Sequence, residues 1–255
     1  MTGAESRDTD VLVIGSGAAG LSGALAAGAG GAGVILAEKS RLLGGTTAMS
    51  GGNVWAPCNH HMDKLGETDS PGDALAYIRA VAPPGWAATE DKLWQEFVRR
   101  APDMLRFVEQ RTALRFWPGL EPDPYAEAPG GKRKGRCVSP RSLSMRTAGE
   151  FAGRIRPGTM PQSFNYNDIA DTHFFAHPWR GLMKFGPGAL MNRLMGKRSM
   201  GGAMVAGLVG GCLGQGCEFL TEAAAGELIV EDGRVVGARF TQRGKRLEIR
   251  ARRGV

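Results

Sequence analysis

Residues 10–52 read DVLVIGSGAAGLSGALAAGAGGAGVILAEKSRLLGGTTAMSGG, and the order of residue types in this block decides the fold. Residues 10–14 form a short apolar run rich in branched side chains, which predicts a buried parallel strand. Gly15-Ser16-Gly17-Ala18-Ala19-Gly20 follows at once as G-x-G-x-x-G. In that pattern the first glycine permits a tight turn. The second removes a side chain from the path of a pyrophosphate, and the third lets a helix lie close on the strand. A helix opening near Ala18 would aim free N–H groups and its positive end at a diphosphate. Residues 33–37 (GVILA) read as the next strand, and Glu38 follows it, 23 positions after Gly15. A carboxylate there accepts hydrogen bonds from ribose hydroxyls and repels a 2′-phosphate, so FAD or NAD is favoured over NADP. Gly23, Gly28, Gly30 and Gly31 crowd the helix and its exit. Each interior glycine costs about 0.5–1 kcal/mol against alanine, so a short or soft helix is expected.

A second glycine segment, Gly44-Gly45-Thr46-Thr47-Ala48-Met49-Ser50-Gly51-Gly52, lies just beyond Glu38. Its glycines allow close backbone approach, and its hydroxyls can donate to phosphate, ribityl or ring oxygens. With the following residues the string is EKSRLLGGTTAMSGGNVWAPCN, Glu38 to Asn59. It resembles the FAD-dependent oxidoreductases that include fumarate reductase and succinate dehydrogenase flavoproteins. The nearest likeness is to 3-ketosteroid Δ1-dehydrogenases and related FAD-binding dehydrogenases. The resemblance implies that Gly15, Ser16, Gly17, Ala18, Ala19 and Gly20 hold the pyrophosphate of FAD. It implies that Glu38 and Lys39 meet the adenosine end, and that Gly45, Thr46, Thr47, Ser50, Gly51 and Gly52 run along the ribityl chain and isoalloxazine. Members with covalent flavin carry a histidine near the position of Gly45. None occurs between Met1 and Asn59, so noncovalent FAD is expected.

The chain has 255 residues, of which 39 are glycine and 42% hydrophobic, a globular composition with room for one core or two small ones. The four cysteines, Cys58, Cys137, Cys212 and Cys217, show no metal spacing and read as buried reduced thiols. Net charge is +7. The excess is local, in residues 132–136 and 243–253, and without aromatic interleaving it reads as solvated loop and strand faces rather than a nucleic-acid surface. The apolar stretch 200–217 contains Gln215 and several glycines, so it is a packed helix and not a membrane span. No signal peptide is visible, and a cytoplasmic protein is expected.

Residues 218–221 read as a strand, and residues 227–231 and 234–241 flank the Asp232-Gly233 turn as a hairpin. Another strand begins at 246. The resemblance implies that this meander ends in a strand returning to the FAD sheet, and that the chain stops where that strand starts, leaving an open edge. It also implies members about twice as long, a substrate cap domain outside this chain, and contact of the Ala225 backbone with adenine. The expected layout is an α/β, Rossmann-like FAD-binding domain of the glutathione-reductase type. Residues 1–59 are its βαβ core, 60–200 an irregular, partly helical insertion, and 201–255 a helix plus β-meander.

Within the insertion, residues 73–81 and 90–108 have helical periodicity, with Pro102 expected to kink or divide the second. Residues 117–131 and 164–175 read as loops. By resemblance, Tyr125 lies in a loop that carries a substrate-side tyrosine. His60 and His61 would diverge on any regular element, and His173 and His177 lack a partner glutamate, so no metal is expected. Arg141, Arg146, Arg154 and Arg156 are candidates for a carboxylate substrate, with solvated surface the commoner fate. The resemblance implies hydride transfer between flavin and a C–C bond beside a carbonyl, with a small-molecule substrate such as a 3-ketosteroid and a separate electron acceptor or donor. Fumarate-like reduction, a flavin-binding fragment without turnover and an NAD-dependent dehydrogenase are the alternatives.

Overall fold

The computed structural model describes residues 5–172 and 176–255. The opening block folds as strand β1 (Glu5–Ile14), helix α1 (Ala18–Ala29), strand β2 (Val34–Ala37) and a five-residue helix α2 (Gly45–Met49). All four residues of β2 are buried, and they alternate between two cores. Val34 and Leu36 pack with Leu21 and Leu25 of α1, while Ile35 and Ala37 join Leu12 and the strands from the end of the chain. Despite its glycines, α1 runs for 12 residues. A Cβ on Gly28 would sit 2.9 Å from the Gln215 side chain and 3.0 Å from Cys217 Sγ, so this glycine makes room for a neighbour. The second glycine segment is not a plain loop. Gly44 enters at φ +105° and starts α2, and a Cβ there would meet Val205 at 2.9 Å.

The insertion takes in strand β3 (Val54–Trp55), helices α3 (Pro71–Val81) and α4 (Ala87–Arg111), and strands β4 (Phe116–Pro118), β5 (Cys137–Pro140) and β6 (Leu143–Ser144). Then follow helices α5 (Tyr166–Thr172) and α6 (Pro178–Leu194) and strand β7 (Lys197–Arg198). β3 pairs with β5, which joins Val54 and Trp55 to the small sheet of the insertion, while Val54 also packs against the main core. Ser70 Oγ accepts from Asp73 N and caps α3. Pro102 does not divide α4. A proline inside a helix costs about 3 kcal/mol. Burial of Val98, Leu105 and Val108 on one stripe, at about 1.5–3 kcal/mol each, outweighs it. Residues 166–172, read as loop, are helical because Asp168 Oδ2 accepts from Asn165 N at the helix start. His173 lies outside the described residues.

Helix α7 (Met200–Gly214) is buried along nearly its whole length and packs on α1 and α2. Among the described residues no helix is long and apolar enough to cross a membrane. The chain closes with β8 (Glu218–Leu220), β9 (Ala223–Glu231), β10 (Arg234–Gln242) and β11 (Lys245–Gly254). The six-stranded sheet has the order β8-β2-β1-β11-β10-β9. β11 is antiparallel to β10 and also parallel to β1, in register from Glu5↔Leu247 to Thr9↔Ala251, with a one-residue shift before Val11↔Gly254. The return to the parallel sheet is therefore made by the last meander strand itself, and the edge expected to lie open is paired along most of β1. Three basic residues of this region meet carboxylates: Arg243 pairs with Glu222, Arg250 with Glu231, and Arg252 with Asp10.

Candidate FAD-binding site

Ligands of α/β sheets sit beyond the carboxyl ends of the strands. Here that edge is the turn between β1 and α1. Gly15 has φ +99°, and a Cβ on it would meet nothing within 4 Å. Gly20 is the opposite case, since a Cβ there would fall 2.0 Å from Gly15 O. The helix entry has no acidic residue in its first turn, and its N-cap, Gly17, offers no side-chain cap. The orphan N–H groups of a helix start need acceptors. One comes from the second glycine segment: Ala18 N donates to Thr47 Oγ1 at 3.0 Å. Gly44 N donates to Ser16 Oγ at 2.9 Å. The two glycine segments thus meet at the start of α1, with Ile14 42% exposed and Met49 37% exposed beside them.

Glu38 is buried under this corner. Its Oε2 accepts from Ser16 N at 3.0 Å and from Ser16 Oγ at 2.6 Å, and its Oε1 accepts from Ser40 N at 2.9 Å. A carboxylate has about four acceptor positions, so one position remains open. Lys39 is exposed beside it. The hydroxyl of Thr47 accepts from Ala18 and keeps its own O–H, and Thr46 is exposed. At the end of α2 the Ser50 O–H donates to Thr47 O at 2.8 Å, and Ser50 Oγ accepts from Gly52 N at 3.1 Å. Replacing Thr47 by valine strands the Ala18 N–H. The expected loss is about 0.5–2 kcal/mol. At about 2–4 °C per kcal/mol, a melt of the FAD-free chain reads it as a drop of a few degrees.

The C-terminal part of the segment is held by α7. A Cβ on Gly52, at φ +68°, would meet Met200 C at 2.5 Å, and one on Gly201 would meet Thr47 O at 1.9 Å. Ala223 N donates to Glu38 O at 2.9 Å and Glu222 N to Ser40 O at 3.2 Å, while Ala225 lies further along β9, paired with Phe240. Two of the candidate arginines also reach this end: Arg154 Nη1 lies 3.4 Å from Thr221 Oγ1 and Arg156 Nη2 3.3 Å from Ser40 Oγ. Arg141 lies over the Trp117 ring, 3.7 Å from its centroid.

Sequence reading missed three residues beside Gly51 and Gly52. The Tyr166 ring fills the space in front of Gly51, where a Cβ would lie 2.9 Å from it. Its hydroxyl donates to Glu121 Oε1 at 3.0 Å, and Asn53 Nδ2 approaches Glu121 Oε2 at 3.5 Å. Burial first, then the Glu121 hydrogen bond, push the Tyr166 phenol up to about 12. Only the glycine at 51 hints at this in sequence, since it leaves space for a neighbouring ring. Tyr125 is 58% exposed, and its backbone N lies 3.5 Å from the Tyr77 hydroxyl. Arg136, read as solvated, is buried between Asp69 and Asp123. The half-buried thiols of Cys58 and Cys137 are each pushed up to about 11, chiefly by burial.

The chain matches the FAD binding domain family over residues 10–255. It belongs to that family. FAD is the cofactor of the fold, and the open turn at Gly15, a start of α1 with no acidic residue and no N-cap side chain, and the open acceptor position on Glu38 fit its diphosphate and ribose. The chain is 36% identical to a 3-oxosteroid 1-dehydrogenase of Mycolicibacterium smegmatis, a match covering 100% of this chain and 46% of that protein. It is 32% identical to a 4-oxocyclohexanecarboxylate 2-dehydrogenase of Sinomonas cyclohexanicum, over 93% of this chain and 41% of the relative. Among solved structures it superposes on a 3-ketosteroid delta1-dehydrogenase from Sterolibacterium denitrificans, in complex with 1,4-androstadiene-3,17-dione. That match has TM-score 0.83 and 28% identity, covering 98% of this chain and 47% of the other. The chain thus spans about half the length of the relatives it matches.

Proposed function

We propose that this chain is the FAD-holding part of a dehydrogenase acting on a ring ketone of the 3-ketosteroid kind. The observation that carries the reading is the Ala18 N to Thr47 Oγ1 contact at 3.0 Å, which seats the second glycine segment on the anion-accepting end of α1. Both named relatives act on an oxo compound, a steroid in one and an oxocyclohexane in the other. In this reading the N–H groups of Ala19 and Gly20 face the diphosphate, with Ala18, whose own N–H is held by Thr47 Oγ1, fixing the helix start beside it. The free acceptor of Glu38 takes a ribose hydroxyl, with Lys39 nearby. Gly45 to Gly52 lie along the ring, held without a covalent link. Bound FAD supplies a hydride acceptor at its ring.

The chain's own part is to orient the cofactor and exclude water behind it through the contacts of α7 with Gly52 and Thr47. Tyr166 stays protonated and stands at the ring-side glycines, its O–H hydrogen-bonded to the Glu121 carboxylate. Tyr125 is the second substrate-side candidate. A separate electron acceptor and a cytoplasmic setting belong to the same reading.

Reconstitution tests it. The purified chain with added FAD is expected to retain a visible flavin absorbance band through gel filtration. Dye-coupled oxidation of a 3-ketosteroid then separates the cases. Retained flavin with turnover supports the full reading. Retained flavin without turnover limits the chain to cofactor holding, and absence of retained flavin overturns the reading.

A further inference from the structure

Away from the cofactor corner, the loop after β3 gathers a second set of donors. The His60 and His61 rings do not diverge. Their centroids lie 4.1 Å apart, and both turn Nε2 toward a single carboxylate on α4. His60 Nε2 is 2.8 Å from Glu109 Oε2, and His61 Nε2 is 3.0 Å from Glu109 Oε1. The loop leads into a single turn of 3-10 helix, Met62–Leu65, where regular side-chain alternation does not apply. The ligand atoms of the three residues fall within 4.8 Å of one another. The His61 and Glu109 side chains are 6% and 12% exposed, while His60 is 30% exposed, so the cluster is closed on two sides and open on one.

Two imidazoles and a carboxylate converging over this span are a donor set suited to borderline divalent ions, which bind His nitrogen and carboxylate oxygen at about 2.0–2.2 Å. We propose that His60, His61 and Glu109 form a binding site for a divalent transition-metal ion of the zinc type, with water completing the coordination on the open side at His60. The ion would clip the loop that follows β3 to α4 and β4, since Phe116 N of β4 also donates to Glu109 Oε1, at 3.2 Å.

One neighbour opposes the ion, and it makes the proposal sharp. Lys64 Nζ lies 2.8 Å from His61 Nδ1. An ammonium there donates to Nδ1 and keeps the His61 proton on Nε2. Metal binding at Nε2 requires that proton to move to Nδ1, so Lys64 must swing away. Lys64 is exposed and free to do so. Removing its charge therefore favours the ion, whereas removing a ligand disfavours it. A purely hydrogen-bonded cluster has no such opposite sign.

The test uses the whole 255-residue chain stripped with a chelator. Calorimetric titration with Zn²⁺ is expected to show one ion per chain. Co²⁺ is expected to give visible d–d bands that Zn²⁺ abolishes, and Zn²⁺ should raise the melting temperature by mass action. His60→Gln and Glu109→Gln should each weaken binding at least about tenfold, and Lys64→Gln should tighten it. His60 is partly exposed and Lys64 exposed, so these two variants decide the matter if Glu109→Gln does not fold. No saturable one-ion binding overturns the proposal. Binding unchanged in His60→Gln, or a thiolate-to-cobalt charge-transfer band that puts the ion on a cysteine, overturns it as well. None of these readouts depends on flavin.

Discussion

Gly20→Val is expected to release FAD and to loosen the whole opening corner. A Cβ at this position lies 2.0 Å from Gly15 O, and 3.3 Å from the Val13 side chain. The first of these atoms is backbone, so no rotamer change relieves the clash. The turn itself must move, and with it the first N–H groups of α1. Overpacking of a tight site costs typically about 1–3 kcal/mol, and a backbone clash lies at the upper end. That corresponds to a loss of about 100-fold in FAD affinity, and to a fall in melting temperature of about 6–12 °C. Gly23→Ala is the control, because a Cβ on Gly23 meets nothing within 4 Å. It should bind FAD normally and melt slightly higher, since alanine replaces glycine inside a helix. Flavin retained by Gly20→Val at wild-type affinity would remove the β1–α1 turn from the site.

Arg136→Met should be the most damaging change in the insertion. The Arg136 side chain is 1% exposed, between Asp69 at 0% and Asp123 at 1%. Nε and Nη2 donate to Asp69 at 2.9 and 2.8 Å, and Nη1 donates to Asp123 at 2.9 Å. The guanidinium also lies over the Trp55 and Tyr77 rings, at 5.6 and 5.5 Å from their centroids. Removing the cation leaves two buried carboxylates without a counter-charge, which costs about 3–5 kcal/mol.

The pH dependence carries the sign. Burial alone would raise the Asp69 carboxyl, but Arg136 and the N–H groups of Cys58 and Ser70 outweigh burial and hold it below the usual carboxylate range. A depressed folded value stabilises the wild type above the unfolded value of about 3.9, and that contribution is lost as pH falls through the folded value. In the variant, acid instead relieves the unpaired carboxylates. Denaturant unfolding at several pH values should show a wide gap between the two proteins near neutrality that narrows toward pH 4. A gap that stays constant or widens on acidification would show that packing, not charge, holds this region.

The cofactor corner was readable because its physics is local. The turn glycines, the apolar β2 and Glu38 all act within thirty-odd positions, and each residue type has one physical reason to be there. The outer half of β1 was not readable. Its residues Glu5 to Thr9 are polar, and they become a strand only because β11 pairs with them. Tyr166 was missed for a related reason, since its contact is with Gly51, far back in the chain. Pro102 misled because a local penalty was set against a burial gain that sequence does not display. The histidine pair misled because alternation was assumed where the chain turns, just ahead of the 3-10 helix at Met62–Leu65.

Strand β1 has β2 on one side and β11 on the other, and the second partner begins at Leu247. The diphosphate corner is thus anchored on a strand whose second ladder forms between residues more than two hundred positions apart. Closing so long a loop is slow compared with forming local structure. During synthesis, the emerging βαβ unit must wait with one strand flank bare until almost all of these 255 residues have left the ribosome.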